Sequence, residues 1–513
     1  MMKAIRIVLY ASLLTQLIAC TTIGPDFEKP EVTVPDEWAD IDGNELEASA
    51  IKQSKWWLVF NDPVLDHLVE IAWQQNNNLE IAGLRVLEAQ AQLGIAIGNQ
   101  YPQSQVISGN ATRTSPADTV GGGSNYSTYG LGASASWELD FWGRFKRGIE
   151  SADAIFMASI AARDQVMILL TAQVVDTYTV ICTLEEQIRI AHENERLQQR
   201  SYDIASVLYR NGSDSELDMQ QAKTLLLSTQ ATIPGFEISL KQARNALSTL
   251  LGKPPGAVDD LLTDDKSIPA LPETIGIGVP ADLLRRRPDV RQAELEALAQ
   301  NAQVGFAETD LYPRFSLFGS IGMASGGPGD SNFGDLFGSD ALTYSFGPSF
   351  VWPFLNYDRI VNNIRVQDSR LQQALVSYRE TVIQASREAE DAMASLNGTQ
   401  VQVKILTETV VSANRSNELS TLRYKEGFSD YQRVLDSQQA LFRQQQNLVS
   451  TRGTSVRSLV ALYKALGGGW QDQAELPLIS DDSREQMEQR TNWGELLESS
   501  NLENDKNISQ QAN

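Results

Sequence analysis

The stretch LEIAGLRVLEAQAQLGIAIGNQYP at 79–102 returns 211 positions later as VRQAELEALAQNAQVGFAETDLYP at 290–313. Nine of the 24 places are identical, among them Ala82/Ala293, Leu84/Leu295, Ala91/Ala302, Gln92/Gln303, Gly94/Gly305 and Tyr101-Pro102/Tyr312-Pro313. At a shift of 215, Trp137 matches Trp352, Tyr209 and Gly212 match Tyr424 and Gly427, and Leu247 and Gly252 match Leu462 and Gly467. The run Asp218-Met219-Gln220-Gln221-Ala222 recurs as Asp436-Ser437-Gln438-Gln439-Ala440. Self-similarity of this kind marks one structural unit written twice.

Each copy has the same order of elements. A helical stretch stops at the Tyr-Pro pair, because proline cannot continue a helix. Two strand-like segments follow, at about 103–115 and 128–141 in the first copy and about 314–325 and 341–352 in the second. Tyr129, Leu131, Ala133, Ala135, Trp137, Leu139 and Phe141 share one face, opposite Thr128, Gly130, Gly132, Ser134, Ser136, Glu138 and Asp140. Aromatic residues toward the ends, an apolar face and a small polar face fit strands that cross a membrane. Four strands cannot close a barrel, and an open edge cannot sit in lipid. Subunits must therefore combine, as a dimer with eight strands or a trimer with twelve.

After each strand pair comes a very long helical stretch. Residues 149–211 contain no glycine or proline over 63 positions, about 95 Å of helix. In the second copy, 354–426 is interrupted only by Gly398. Each run turns at a matched glycine, Gly212 or Gly427, and returns through 213–233 or 428–452. Helices of this length hold only when packed side by side.

The net charge of −23 excludes a nucleic-acid partner, since phosphate binding needs a basic patch. Cys20 and Cys182 are the only cysteines, and His67 and His192 the only histidines, so no metal cluster or disulfide framework is expected. Cys182 reads as a small packed hydrophobe. Lys3 and Arg6 before the apolar run 7–19 give a secretory signal. Its end, Leu17-Ile18-Ala19-Cys20, resembles the bacterial lipobox, where the cysteine receives a diacylglycerol. Thr21, in place of an aspartate, points to the outer membrane. No P-loop, dinucleotide fingerprint, nucleophile elbow or metal spacing is present, so no enzyme is expected.

Together these blocks resemble the TolC-like outer-membrane factors, in the lipoprotein (NodT/OprM-like) branch serving resistance-nodulation-division efflux systems. The similarity is carried by Gly24-Pro25-Asp26-Phe27 with Trp38, by Trp56-Trp57 with Phe60, Asp62 and Leu65, and by Ile233-Pro234-Gly235 through Leu251-Gly252-Lys253-Pro254-Pro255-Gly256 at the turn between halves. It is carried further by Ala281-Asp282-Leu283-Leu284-Arg285-Arg286-Arg287-Pro288-Asp289. The triple arginine could be a phosphate site, but in this setting it reads as a structural block at a helix start.

The resemblance implies an α+β membrane protein: a homotrimer with a twelve-stranded outer-membrane β-barrel continued by a long α-helical periplasmic barrel. The corresponding parts are a signal at 1–19, a lipid-anchored segment at 20–60, repeats at 61–256 and 281–470, and an inter-repeat equatorial segment at 257–280; after Trp470 the resemblance fades, and the acidic composition of 471–513 reads as a mobile tail. It implies an efflux exit duct that needs no cofactor beyond the lipid on Cys20. Its partners would be a periplasmic adaptor and an inner-membrane pump, the adaptor docking at the tips Gly212, Ser213, Gly427 and Phe428. Asp436 would narrow the periplasmic aperture, with Asp218 and Tyr424 paired across helices to hold it shut. Arg433 stands where some relatives carry a second acid, and Gln432 where others carry an apolar gate. A type I protein-secretion duct and a non-conducting lipid-anchored scaffold are the alternatives.

Overall fold

The computed structural model describes residues 22–32, 53–115, 125–262, 267–272, 286–326, 332–470 and 476–497, with Trp38 and the short paired strands Leu46–Glu47 and Ile275–Gly276. Cys20, the signal at 1–19, the glycine loops at 121–123 and 329, Arg285 and the end of the tail from 498 lie outside the described residues.

Helices α1 (Pro63–Gln75) and α2 (Asn77–Gly98) lead into strands β1 (Ser104–Thr114) and β2 (Tyr126–Leu139). The second copy supplies α5 (Pro288–Glu308), β3 (Arg314–Gly326) and β4 (Leu342–Val351). The four strands form one antiparallel sheet in the order β1-β2-β3-β4, so the β2–β3 pairing joins the repeats. Register sorts side chains by face. Gly109, Leu131, Met323 and Leu342 are successive cross-strand neighbours, as are Ile107, Ala133, Ile321 and Tyr344. On the other face Val106 is followed by Ser134, Ser320 and Ser345, and the last two hydroxyls bond at 2.8 Å. Val106, Phe318 and Val351 are large apolar residues on this otherwise polar face. Ile107 and Phe346 are each 82% exposed, so among the described residues nothing covers the apolar face around them. That face suits lipid. Among the described residues the outer edges of β1 and β4 have no partner, and only another copy can satisfy them in a membrane.

The sheet is bolted to the helices by repeated tryptophan contacts. Trp137 Nε1 donates to the Gln100 carbonyl at 3.1 Å, and its counterpart Trp352 donates to Leu311 at 2.9 Å. Donor and acceptor thus recur together. Trp142 adds a bond of 2.8 Å to the Pro313 carbonyl and packs on Tyr312. An indole N–H fixed at the strand ends fits the aromatic belt of a membrane interface.

Below the sheet hang α3 (Arg144–Arg210) and α6 (Arg359–Lys425), each of 67 residues, returning through α4 (Glu216–Leu250) and α7 (Tyr431–Ala465), each of 35. Both pairs match at a shift of 215. The recurrence of 218–222 at 436–440 is therefore not structural equivalence, since Gln221 occupies the place in α4 that Asp436 has in α7. Each long helix begins at a left-handed N-cap, Gly143 with φ 74° and Asp358 with φ 61°. Part of α3 is long and apolar enough to cross a membrane by composition, but 61% of that window is buried among neighbouring helices.

Two expected breaks are absent. Gly398 lies within α6, and Pro234 within α4, so the turn between halves begins at Leu251 rather than at Ile233. An internal proline costs about 3 kcal/mol. Burial of Thr229 and Ile233 in the stretch just before the proline offsets this cost, and Gln230 Nε2 is tied to Glu195 of α3 at 2.8 Å.

The main core lies at the waist, where the chain segments outside the helical pairs converge. Trp56 stacks on Tyr463 at 5.0 Å and Trp57 meets Trp73 edge-on. Leu65, Leu68, Tyr178, Cys182, Leu247, Leu251, Leu459 and Leu462 complete it. Asp62 caps α1 through Val64 and Leu65 N–H and accepts the Tyr178 hydroxyl at 2.5 Å. Arg287 is 5% exposed and holds the Ala465 carbonyl, Asp289 and Glu388. Its cluster is structural, these contacts all being made to the chain's own groups.

The tail at 471–513 departs from expectation over 476–497. Helix α8 (Asp481–Arg490) and the turn Gly494–Leu497 dock on α2, where Ile479, Met487, Trp493 and Leu497 pack with Leu84 and Leu87. Ser480 donates to Glu80 at 2.5 Å, and Arg163 binds the Leu476 and Pro477 carbonyls. Gly83 permits the approach: a Cβ there would stand 1.7 Å from the Leu478 carbonyl oxygen. Five scattered apolar residues are enough to seat the segment against an existing groove.

Candidate functional site at the helix tips

At the far end from the sheet, α3 turns into α4 and α6 into α7. Gly212 and Gly427 have φ of 72° and 76°. Ser213 N–H reaches back to the Leu208 carbonyl at 2.9 Å, and Phe428 N–H to Arg423 at 2.8 Å. Both are helix ends of the Schellman type, which need a left-handed residue. A Cβ at either glycine would meet no atom within 4 Å, so the requirement is conformational rather than steric. Phe428 is 75% exposed, a large apolar residue left on the tip.

A small core holds the four helices together here: Ala205, Ala222, Leu225, Tyr424, Tyr431, Val434 and Leu435. Tyr424 and Tyr431 meet edge-on at 5.3 Å. The Tyr424 hydroxyl donates to Asp214, so the pairing with Asp218 expected from the resemblance is not the one formed. Asp218 sits one turn into α4, where it accepts the Ser215 hydroxyl at 2.8 Å. The reason is local: Ser215 caps α4 and its hydroxyl engages the Asp218 carboxylate, while Asp214 accepts the Tyr424 hydroxyl from α6. Asp214 was missed in sequence because it belongs to no repeated position; its counterpart is Ser429. Burial and the bond to Asp214 push the Tyr424 hydroxyl far above the usual tyrosine range, so it stays a donor.

Asp436 is exposed and accepts Gln432 Nε2 at 2.8 Å, while Gln432 Oε1 accepts Gln221 Nε2 of α4 at 3.3 Å. The candidate residues thus fall into two groups on one tip: a half-buried cluster of Tyr424, Asp214 and Asp218, and a solvent-facing chain from Gln221 to Asp436.

A second built region lies at the opposite end. Ile23 N–H bonds to the Trp142 carbonyl at 3.1 Å, and Thr22 packs on Gly143. Arg147 gathers the Ile23 and Gly24 carbonyls with Asp26 and Glu150. Asn301 holds the Pro25 carbonyl, and Lys29 pairs with Glu294. Residues 22–32 are thereby fastened along α3 and α5, starting at the tryptophan girdle.

The outer membrane efflux protein family matches residues 68–253 and 279–468. The cation efflux system protein CusC of Escherichia coli O6:H1 is 30% identical over 456 residues, covering 89% of this chain and 97% of its own. The pyoverdine export outer membrane protein OpmQ of Pseudomonas putida is 31% identical, covering 89% and 96%. Among solved structures, the outer-membrane channel OprN superposes with a TM-score of 0.81 at 30% identity, covering 88% of this chain and 100% of its own. Twelve strands from three copies close the sheet whose edges a single chain leaves open. The chain belongs to the outer membrane efflux protein family, and as a homotrimer working with a periplasmic adaptor and an inner-membrane pump it forms the outer-membrane exit duct of a tripartite efflux system.

Proposed function

We propose that this duct passes small molecules delivered by a resistance-nodulation-division pump, and that its periplasmic mouth is held shut by Tyr424 and constricted by Asp436. The observation carrying the reading is the Tyr424–Asp214 bond, which ties the α6–α7 pair to the α3–α4 pair at the very end of the tunnel. Breaking it frees one helical pair to swing from the other. Exposed Asp436, one per subunit, would form a ring of three carboxylates that favours cations over anions. The tips at Gly212, Ser213, Gly427 and Phe428 would meet the adaptor, for which the exposed Phe428 is an apolar contact. No step calls for a catalyst or cofactor: the duct conducts what the pump selects.

A lipid on Cys20 would add a second anchor to the barrel. Only Thr21 separates it from Thr22, so two residue steps allow it a reach of no more than about 7 Å from Thr22 at the girdle corner. A diacylglycerol there would enter the inner leaflet of the outer membrane beside Trp142.

Single-channel recording on reconstituted trimer tests the gate. Asp436→Asn is expected to lower cation preference, and Tyr424→Phe to raise the open fraction. Unchanged selectivity removes Asp436 from the aperture; an unchanged open fraction removes Tyr424 from the latch. Crosslinking from Ser213 and Phe428 tests the tips, and adaptor adducts formed only at the opposite, loop end would reverse the orientation.

A further inference from the structure

Asp214 and Asp218 converge on one residue: Asp214 accepts the Ser215 N–H at 2.9 Å and Asp218 accepts the Ser215 hydroxyl at 2.8 Å. A carboxylate has only acceptors, so two that meet at one residue hold together best with a proton on one member. The surrounding bonds say which. Asp214 already accepts the Tyr424 hydroxyl and the Ser215 N–H at 2.9 Å, both of which favour its charged form. Asp218 accepts the Ser215 hydroxyl at 2.8 Å and is also favoured in its charged form by the Ser215 backbone, but it has no tyrosine donor.

We propose that in the latched tip Asp214 and Asp218 share one proton, carried on Asp218 and donated to Asp214, so that the latch tightens in acid and loosens as pH rises. This rests on the reading of Tyr424 as the latch and adds its regulation.

The electrostatics agree. Burial first, then the hydrogen bond and charge of Asp214, raise Asp218 above the usual aspartate range. Burial raises Asp214 too, but the bonds from Asp218, Tyr424 and Ser215 outweigh it and hold Asp214 below that range. From α6 the pair faces Tyr424 and from α7 Tyr431, both kept protonated by burial. From α3, Arg210 turns its Nε back to the Ser206 carbonyl at 3.2 Å. Among the described residues no salt bridge joins either carboxylate to a lysine or arginine.

The sign follows from linkage. Once the tip opens, the two carboxyls separate and return toward an ordinary value of about 3.9. The latched state therefore binds a proton that the open state lacks. The raised Asp218 contributes stabilisation that is lost as pH rises through its raised value, while the depressed Asp214 contributes stabilisation that is lost as pH falls below the ordinary value, so the latch is tightest near the ordinary value and loosens on the alkaline side of it. Within that window the latch weakens by up to about tenfold per pH unit per subunit. Above it, two charges press against each other and against nothing positive, and the bond from Tyr424 carries the load alone.

The test is the open fraction of reconstituted full-length trimer recorded from pH 4 to pH 8. An Asp436→Asn background removes the titration of the aperture carboxylates themselves. The expected result is an open fraction that rises with pH. Asp218→Asn, whose amide N–H donates to Asp214 at every pH, is expected to abolish the rise and keep the channel closed. A flat response before the Asp218 change, or a rise that survives Asp218→Asn, overturns the shared proton. Tyr424→Phe separates the two ideas. If it opens the channel at all pH values while Asp218→Asn has no effect, the latch stands and the proton does not. If it changes nothing, the latch itself is wrong.

Discussion

Arginine at Leu131 and arginine at Ser134 should have opposite fates, although the two positions are three residues apart on β2. Leu131 lies six residues from Trp137, which marks the periplasmic girdle by its bond to Gln100. At about 3.3 Å per residue that is about 20 Å along the strand. A tilt of about 40° leaves about 15 Å of height, near the middle of an apolar band about 25 Å tall. Leu131→Arg on the lipid face should therefore cost about 2–4 kcal/mol per subunit, and about 6–12 kcal/mol for a trimer. Leu317 pairs with Trp137 itself, so Leu317→Arg sits at the interface and should cost only about 0–1 kcal/mol. Ser134 faces Val106 and Ser320 on the lumen side, where an arginine keeps its water. The assay is the fraction of heat-resistant trimer in isolated outer membranes, with urea unfolding in bilayers as the quantitative reading. Equal losses at Leu131 and Ser134, or a greater loss at Ser134, would refute the assignment of faces.

Two further outcomes are expected. Cys20→Ser should abolish incorporation of labelled lipid while leaving part of the transport, because the barrel also anchors the trimer; label retained in the variant would disprove acylation there. Gly83→Ala should lift the docked segment at 476–497, since the new methyl collides with the Leu478 carbonyl. Faster trypsin cleavage at Arg484 and Arg490 with the trimer intact is the expected reading, and wild-type cleavage rates would show that the segment can shift aside.

The duplication, the strand faces and the long helices are legible in sequence because each is a pattern summed over many residues. A period of two along β2, or 63 positions without glycine or proline, survives a few local exceptions. What could not be read depends on single contacts. Pro234 and Gly398 look like breaks, yet packing across the helical layer decides against local propensity. The docked segment has too few apolar residues to show periodicity; its place exists only because Gly83 leaves a gap on α2. At the tip, Tyr424 and Asp218 are visible as types, but their partnership turns on the Ser215 cap, which engages Asp218 and leaves Asp214 to accept the Tyr424 hydroxyl.

The equal lengths of the two repeats set what a partner sees from below. Helical pairs of 67 and 35 residues hang twice from one sheet, so both turns of a subunit reach the same depth. Three subunits then present six hairpins of one backbone shape around a ring. Their side chains differ, Asn211-Gly212-Ser213-Asp214 in one and Glu426-Gly427-Phe428-Ser429 in the other. A ligand that grips only main chain meets sixfold symmetry, whereas one that reads residues meets threefold symmetry. A docking ring of six identical copies would therefore occupy two unlike environments in turn, and changes confined to Phe428 would weaken every second contact while sparing the others.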